Sequence, residues 1–358
     1  TDCRQGILHG HPGYLHDPGA QGRRIILVYA LDIDTVLKDH GVEGQLFRFQ
    51  CSSFPPGVQV QSGMAVFKKG QQAGDADWHR AARFFWDTVV NERSVAIGGN
   101  SVREHFNDKH DFTPMIREVE GPETCNTYNM LKLTRLLFAA EPRGEYAEFY
   151  ERALYNHILA SQDPATGGLV YFTPMRPQHY RVYSRVHEAM WCCVGSGIEN
   201  HVKYGAFIFA HDGGDLIVNL FIPARLEWPE RGVVLRQETR FPDESGTTLV
   251  FEQDSDVGVR LRWPSWAAAD TPEVRINGVV QPATVGPNGY IRLQRKWKQG
   301  DRVSLALPME TRLEQMPDVT EEVGDHRDES AANGLLVKFV ERFFELRTGA
   351  RLGGINAM

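Results

Sequence analysis

Glu123 and Cys125 stand two residues apart just after Gly121-Pro122, and Cys192 and Cys193 are adjacent; these four side chains have the chemistry to hold a soft metal ion. At the entrance to a helix the chain is still extended, so alternate side chains point the same way and Glu123 and Cys125 can reach one ion. Cys192 and Cys193 can add two ligands from a turn that precedes another helix. Three thiolates and a carboxylate fill a tetrahedral zinc shell, and sulfur selects zinc over magnesium or calcium. The chain has five cysteines, an odd count that does not suit a disulfide framework. Neighbouring cysteines are also poorly placed to pair with each other. The plainer alternative is a set of buried structural cysteines near a surface glutamate, since unpaired cysteine is among the most buried residue types.

A metal-bound cysteine is held as the thiolate near neutral pH, where a free thiol with a pKa of about 8.5 is mostly protonated. Helix N-termini near Cys125 and Cys192 push in the same direction. Such a sulfur is an activated nucleophile. Glu104, in the segment Gly99-Asn100-Ser101-Val102-Arg103-Glu104-His105-Phe106, is a candidate partner carboxyl. To work as acid and then base its pKa must be raised by burial; otherwise it is a solvated loop charge. His157 reads as a hydrogen-bonded core histidine on an apolar helical face. Glu151 lies one position off that face, which points to solvent, and Tyr171 reads as packing. His179, His187 and His201 have no ligand spacing. Gly98-Gly99-Asn100 is a turn rather than a phosphate loop, because no Lys-Ser/Thr follows. Trp263-Pro264-Ser265-Trp266 reads as buried aromatics, with a sugar-stacking surface as the alternative.

The elements that must position these residues follow from periodicity. Residues 1–70 are Gly- and Pro-rich and irregular. Trp78, Ala82, Phe85 and Val89 recur at helical spacing. A second helix is expected over 124–140, with Pro122 suited to its first turn. A third is expected over 146–158 and a fourth over 198–209, after the turn Gly195-Ser196-Gly197. The period then changes to short apolar or alternating runs at 216–222, 233–239, 247–252, 257–263, 274–276, 290–293 and 302–307, which are expected strands. Asn277-Gly278 signals a hairpin, because both turn positions need positive φ. The expected division is an irregular segment 1–70, a helical domain 71–212, a β-sandwich 213–312 and a tail 313–358. A net charge of -7 argues against nucleic-acid partners, which need a basic footprint. No run of about 18 apolar residues is present to span a membrane. The start, Thr1-Asp2-Cys3-Arg4, has neither an initiator Met nor a signal-peptide core.

Residues from about Trp78 to Pro308 resemble the bacterial β-L-arabinofuranosidases of glycoside hydrolase families 127 and 146. Three segments carry the likeness: Val95 to Phe106, Gly121-Pro122-Glu123-Thr124-Cys125-Asn126-Thr127-Tyr128-Asn129-Met130-Leu131, and Trp191-Cys192-Cys193-Val194-Gly195-Ser196-Gly197. Their wording leans toward family 146. The resemblance implies a fold that is mainly α then β, an (α/α)6 barrel followed by a β-sandwich. It implies zinc held by Glu123, Cys125, Cys192 and Cys193. It makes Cys192 the nucleophile of a retaining double displacement, through a glycosyl thioether, and Glu104 the acid/base. It places Glu151 and Tyr171 against the sugar, and it makes a plant-derived arabinofuranosyl glycan the substrate. Carboxylate pairs in retaining enzymes stand about 5–5.5 Å apart, and comparable closeness is expected between the Cys192 sulfur and Glu104. Two departures stand out. Nothing in 1–70 matches the first barrel helices or their His-Ala-Asn-Thr-like segment, and 319–358 does not continue the sandwich. About half the barrel's helices can be counted, so the barrel is expected to be partial. Every expected zinc ligand lies in the matching part, so zinc binding is expected of this chain and hydrolysis is expected to be poor. The alternatives are a non-catalytic, zinc-stabilised carbohydrate-binding or interaction protein and a different enzyme on the same architecture.

Overall fold

Apolar side chains three and four apart force the first part of the chain into helices that bury one face. In the computed structural model, which describes residues 25–27, 76–185, 187–310 and 314–318, helix α1 spans Ala76–Glu92 and buries Ala82, Trp86 and Val89. A short helix α2 (Thr113–Arg117) follows. Helix α3 (Thr124–Ala140) buries residues on nearly every side, among them Tyr128, Met130, Leu131, Leu133, Leu137 and Phe138, as an element enclosed by others must. The Trp86 indole donates to Thr134 Oγ1 at 2.8 Å and ties α1 to α3. Helix α4 (Gly144–Ala153) does not run on to residue 158 as one α-helix; it passes into a π-turn, Leu154–Ile158, and a 3-10 turn, Leu159–Ser161.

Helix α5 spans Cys192–Asn200, a correction to the helix expected over 198–209. The glycines read as a turn lie inside it. A Cβ on Gly197 would come within 2.5 Å of Leu169 Cδ1, so this glycine serves close approach between elements rather than chain reversal. After a 3-10 turn at Tyr204–Phe207, the chain is already in strand β2 by Phe209.

Strand β1 (Ile25–Leu27) pairs antiparallel with β2 (Phe209–Asp212). The sheet region continues with β3 (Asp215–Val218), β4 (Ala224–Trp228), β5 (Val233–Thr239), β6 (Gly246–Phe251), β7 (Ser255–Arg262), β8 (Val274–Ile276), β9 (Val279–Gln281), β10 (Tyr290–Trp297) and β11 (Arg302–Ala306). They form two sheets, a five-stranded one ordered β1-β2-β3-β7-β10 and a six-stranded one ordered β4-β5-β6-β11-β8-β9. Only β3 with β7 is parallel among the described pairs. The strands at 233–239 and 274–276 lie where the alternation puts them. The run expected over 216–222 is shorter, and β2 and β9 had no periodic signal of their own: β2 is buried at every position, and β9 has three residues. Strand β4, not among the expected runs, does alternate in sequence and in burial. Asn277 and Gly278 take φ of 51° and 83°, closing the β8–β9 hairpin as two positive φ values require.

Inward residues of both sheets, such as Leu235, Leu249, Val259 and Leu261, share one apolar cluster with the helices. Phe207 joins the two parts by packing edge-on to Phe138, ring centres 4.9 Å apart. The architecture is helices followed by a sandwich-like pair of sheets. The readings for 1–70 and 313–358 fall largely outside the described residues.

Candidate metal centre

Four chain segments meet at the site. The first is the stretch around Glu123. Glu123 pairs with Phe172 in an isolated antiparallel bridge, the Thr124 amide donates to the Tyr171 carbonyl at 3.0 Å, and the Thr173 amide donates to the Pro122 carbonyl at 2.9 Å. Gly121 allows this approach, since a Cβ there would lie 2.5 Å from the Thr173 oxygen. Glu123 is extended, with φ -84° and ψ 132°, and α3 starts one residue later. The extended alternation expected over 123–125 therefore stops at Glu123, and the Cys125 thiol reaches the same point from the first turn of α3. Cys192 and Cys193 occupy the first turn of α5, after an extended Trp191. Both thiol-bearing segments thus lie at helix N-termini, where the backbone dipole favours thiolate.

The four ligand atoms all lie within 4.8 Å of one another. The Cys125 and Cys193 sulfurs are 3.1 Å apart, and those of Cys192 and Cys193 are 3.9 Å apart. Glu123 Oε1 lies 3.6 Å from the Cys193 sulfur and 3.8 Å from that of Cys192. Zinc–sulfur bonds of about 2.3 Å in a tetrahedron put sulfurs about 3.7 Å apart, so the donor set fits one tetrahedral ion. The electrostatics also favour a cation. Burial first, then the Cys192 and Glu104 charges, push the Glu123 carboxyl up to about 8. The Cys125 thiol is pushed up chiefly by its hydrogen bond with Cys192, and the Cys193 thiol chiefly by burial. A divalent ion reverses these pressures by stabilising the charged forms.

Glu104 reaches the site from a strained turn. Val102 and His105 exchange backbone hydrogen bonds of 2.8 and 3.0 Å, and the two residues between them, Arg103 and Glu104, have φ of 49° and 69°. This is a two-residue hairpin of the kind that Asn-Gly usually closes, built here from two bulky residues, and Ser101 just before it is at φ 77°. Each such residue costs about 1–3 kcal/mol, strain that persists only where the surroundings impose it. Arg103 supplies part of the restraint: its amide donates to the Glu120 carbonyl at 3.0 Å and its guanidinium pairs with Glu118 at 2.6 Å. The Tyr171 hydroxyl donates to Glu104 Oε1, and the Cys192 sulfur lies 3.5 Å from that same hydroxyl. With an ordinary O–H···O bond of up to about 3.0 Å, sulfur and carboxylate oxygen are within about 6.5 Å of each other. Burial, and secondarily the Cys192 charge, raise the Glu104 pKa above its ordinary value.

The structure therefore brings together Glu104, Glu123, Cys125, Tyr171, Cys192 and Cys193. Glu151 has partners of its own. Glu151 is 4% exposed, not solvent-facing, and its oxygens are taken by the Arg262 guanidinium and the Trp266 indole, the latter at 2.9 Å. Trp266 is thereby a junction residue, stacked on Phe241. Sequence reasoning missed Ser196, whose hydroxyl is 3.1 Å from the Cys125 sulfur, and Asn126, which donates to Ser101 Oγ at 2.9 Å and links α3 to the Glu104 turn. The spacing of Ser196 three residues after Cys193 on a helix carried a signal for the first; nothing in the sequence carried one for the second.

The family model for the β-L-arabinofuranosidase GH127 catalytic domain matches residues 26–206, and that for the GH127 middle domain matches 215–309. The catalytic match starts upstream of the boundary at 71 drawn from composition. A non-reducing end β-L-arabinofuranosidase of Bifidobacterium longum subsp. longum is 25% identical over 265 residues, 67% of this chain and 38% of that protein. Two solved structures share the fold, each at TM-score 0.60 and 23% identity: the GH127 β-arabinofuranosidase BT3674, over 69% of this chain and 42% of that one, and the GH127 β-L-arabinofuranosidase Ara127N-Se from Geobacillus stearothermophilus T6, over 77% and 48%. The chain spans less than half the length of these relatives. The matches name family 127 and draw no distinction from family 146, toward which the wording of the three segments leans.

Proposed function

Since the chain belongs to the GH127 β-L-arabinofuranosidase family, we propose that it is a retaining glycoside hydrolase that releases terminal β-L-arabinofuranose from a plant-derived glycan. The observation that carries this reading is the shared hydroxyl of Tyr171, which touches both the Cys192 sulfur and the Glu104 carboxylate beside the Glu123-Cys125-Cys193 cluster. Zinc bound by Glu123, Cys125, Cys192 and Cys193 would keep the thiols ionised at neutral pH. The Cys192 sulfur attacks the anomeric carbon while Glu104, as the protonated acid that its raised pKa favours, gives its proton to the departing oxygen. The bond to the leaving group breaks as the thioether forms. Glu104, now a carboxylate, takes a proton from water, which attacks the same carbon and frees the sulfur, so two inversions give retention. Tyr171 donates to Glu104 and holds it at this distance. The helical part is a portion of an (α/α)6 barrel, and residues 71–212 and 213–312 act as catalytic and sandwich domains.

The test replaces Cys192 by Ser and, separately, Glu104 by Gln in the 358-residue chain, with zinc content measured alongside cleavage of an aryl β-L-arabinofuranoside. Cys192→Ser should abolish cleavage, and Glu104→Gln should lower it by about 10²–10⁴-fold with zinc retained. Unchanged cleavage in both variants would overturn the reading. The closely packed Glu123, Cys125, Cys192 and Cys193 donors would equally serve a second reading, a zinc-stabilised carbohydrate-binding or interaction protein without turnover. Stoichiometric zinc with no cleavage by the parent chain is its expected signature.

A further inference from the structure

We propose that His157 is a positioning residue that fixes the separation between the Glu104 carboxyl and the cysteine cluster, an inference that rests on the reading that these groups act together. His157 lies in the π-turn Leu154–Ile158 and is 0% exposed. A π-turn adds a residue to the helical ladder and re-aims the side chains that follow, and such turns recur at functional sites. Here the re-aimed imidazole touches three of the segments that build the site. Its Nδ1 is 2.8 Å from Thr127 Oγ1, in the same first turns of α3 as Cys125. Gly99 is pressed against it so closely that a Cβ there would lie 3.0 Å from Nδ1 and 2.6 Å from Pro122 Cβ. Gly99 opens the segment that ends in Glu104, and Pro122 directly precedes Glu123. One rigid ring thus spaces the acid/base turn, the carboxylate ligand and the thiolate helix.

Its chemistry argues against a mere space-filler. Nε2 is buried with no hydrogen-bond partner among the described residues, a cost that an apolar side chain of similar size avoids. Burial, and secondarily the Arg181 charge, hold the ring neutral, its pKa pushed down to about 3 against a hydrogen bond with the Pro122 backbone, so it contributes shape and hydrogen bonding rather than charge.

The experiment compares His157→Leu, which keeps bulk without the hydrogen bond, with His157→Asn, whose amide reproduces the Nδ1 position, and with Leu133→Ala, a buried change on α3 used as a stability control. Three quantities are read: kcat and KM on an aryl β-L-arabinofuranoside, cobalt(II) affinity from the sulfur-to-cobalt absorption band, and Tm. His157→Leu should lower kcat and cobalt affinity each by about 10-fold or more, the range for residues that orient metal ligands, with KM little changed. His157→Asn should recover most of both. Leu133→Ala should lower Tm while leaving kcat and cobalt affinity nearly unchanged. The proposal is overturned if His157→Leu has no effect, if His157→Asn does not recover, or if Leu133→Ala reproduces the same losses. Should His157→Leu not fold, Thr127→Val takes its place with the same expected losses. If the parent chain binds cobalt without turnover, the glycosidase reading fails and cobalt affinity alone decides the role of His157. A parent chain with neither property overturns both.

Discussion

A phenol that touches a thiol on one side and donates to a carboxylate on the other couples two groups that the proposed double displacement uses in sequence. Tyr171 occupies that place, its ring stacked on Phe172 with centres 4.3 Å apart. A hydrogen bond to a charged acceptor is worth about 1.5–3 kcal/mol, so Tyr171→Phe is expected to lower kcat by about 10–100-fold while leaving zinc content and far-UV circular dichroism unchanged. Loss of zinc in that variant would instead make Tyr171 a support for the metal cluster. The four candidate metal donors were legible from residue type and local spacing, because softness and charge belong to the side chain itself. The strained backbone at Arg103 and Glu104 was not legible, since neither is a residue that ordinarily adopts positive φ.

At the scale of elements, the Glu104 segment is held by glycines whose missing side chains make room. Gly98 is at φ 77°, and a Cβ on it would lie 2.8 Å from the backbone Cα of Ala153 at the end of α4. Backbone cannot swing aside as a side-chain tip can, and an L-residue pays an added cost in that conformation. Gly98→Ala is expected to lose more than about 2 kcal/mol in urea unfolding, and to lower cleavage beyond what stability explains. A loss within about 0.5 kcal/mol, the range for inert surface changes, would mean that α4 yields to the intrusion. The start of α5 shows the limit of local reading. Gly195-Ser196-Gly197 looks like a chain reversal by composition, yet Gly197 is there because Leu169 presses on the helix. Contact between segments decided the matter, and contact has no local signature.

At the scale of the whole molecule, helices and sheets are joined through a buried ion pair. Arg262 on β7 is 0% exposed; it pairs with Glu151 on α4, donates to the Asn219 carbonyl at 2.7 Å and lies over the Phe221 ring. Removing one partner leaves the other charge buried and uncompensated, so Arg262→Met is expected to cost about 3–5 kcal/mol in denaturant unfolding. Adding Glu151→Gln to it should recover part of that loss. If the double variant is as unstable as the sum of the singles, the pair is not coupled. On the five-stranded sheet, Asp215 faces Arg260 and Arg292 at 2.8 and 2.9 Å. Burial pushes its pKa up, but the hydrogen bonds from Arg292 and Arg260 outweigh that and hold the carboxyl below its ordinary value. Its stabilisation is therefore present above about pH 4 and lost as pH falls through the lower folded-state value. Asp215→Asn should flatten the fall of Tm with acid in that window, and an unchanged acid slope would remove Asp215 from the account.

The sequence by itself determined which atoms can bind a soft metal, the order of helices before strands from residue 76 onward, and the Asn277-Gly278 hairpin, since donor chemistry, periodicity and turn preference act within a few residues. Only the tertiary structure decided that Glu104 reaches Cys192 through Tyr171, that Glu151 turns inward to Arg262, and that α5 begins at Cys192. Those outcomes depend on distances between segments remote in sequence, which are set by how apolar faces pack and how buried charges find partners.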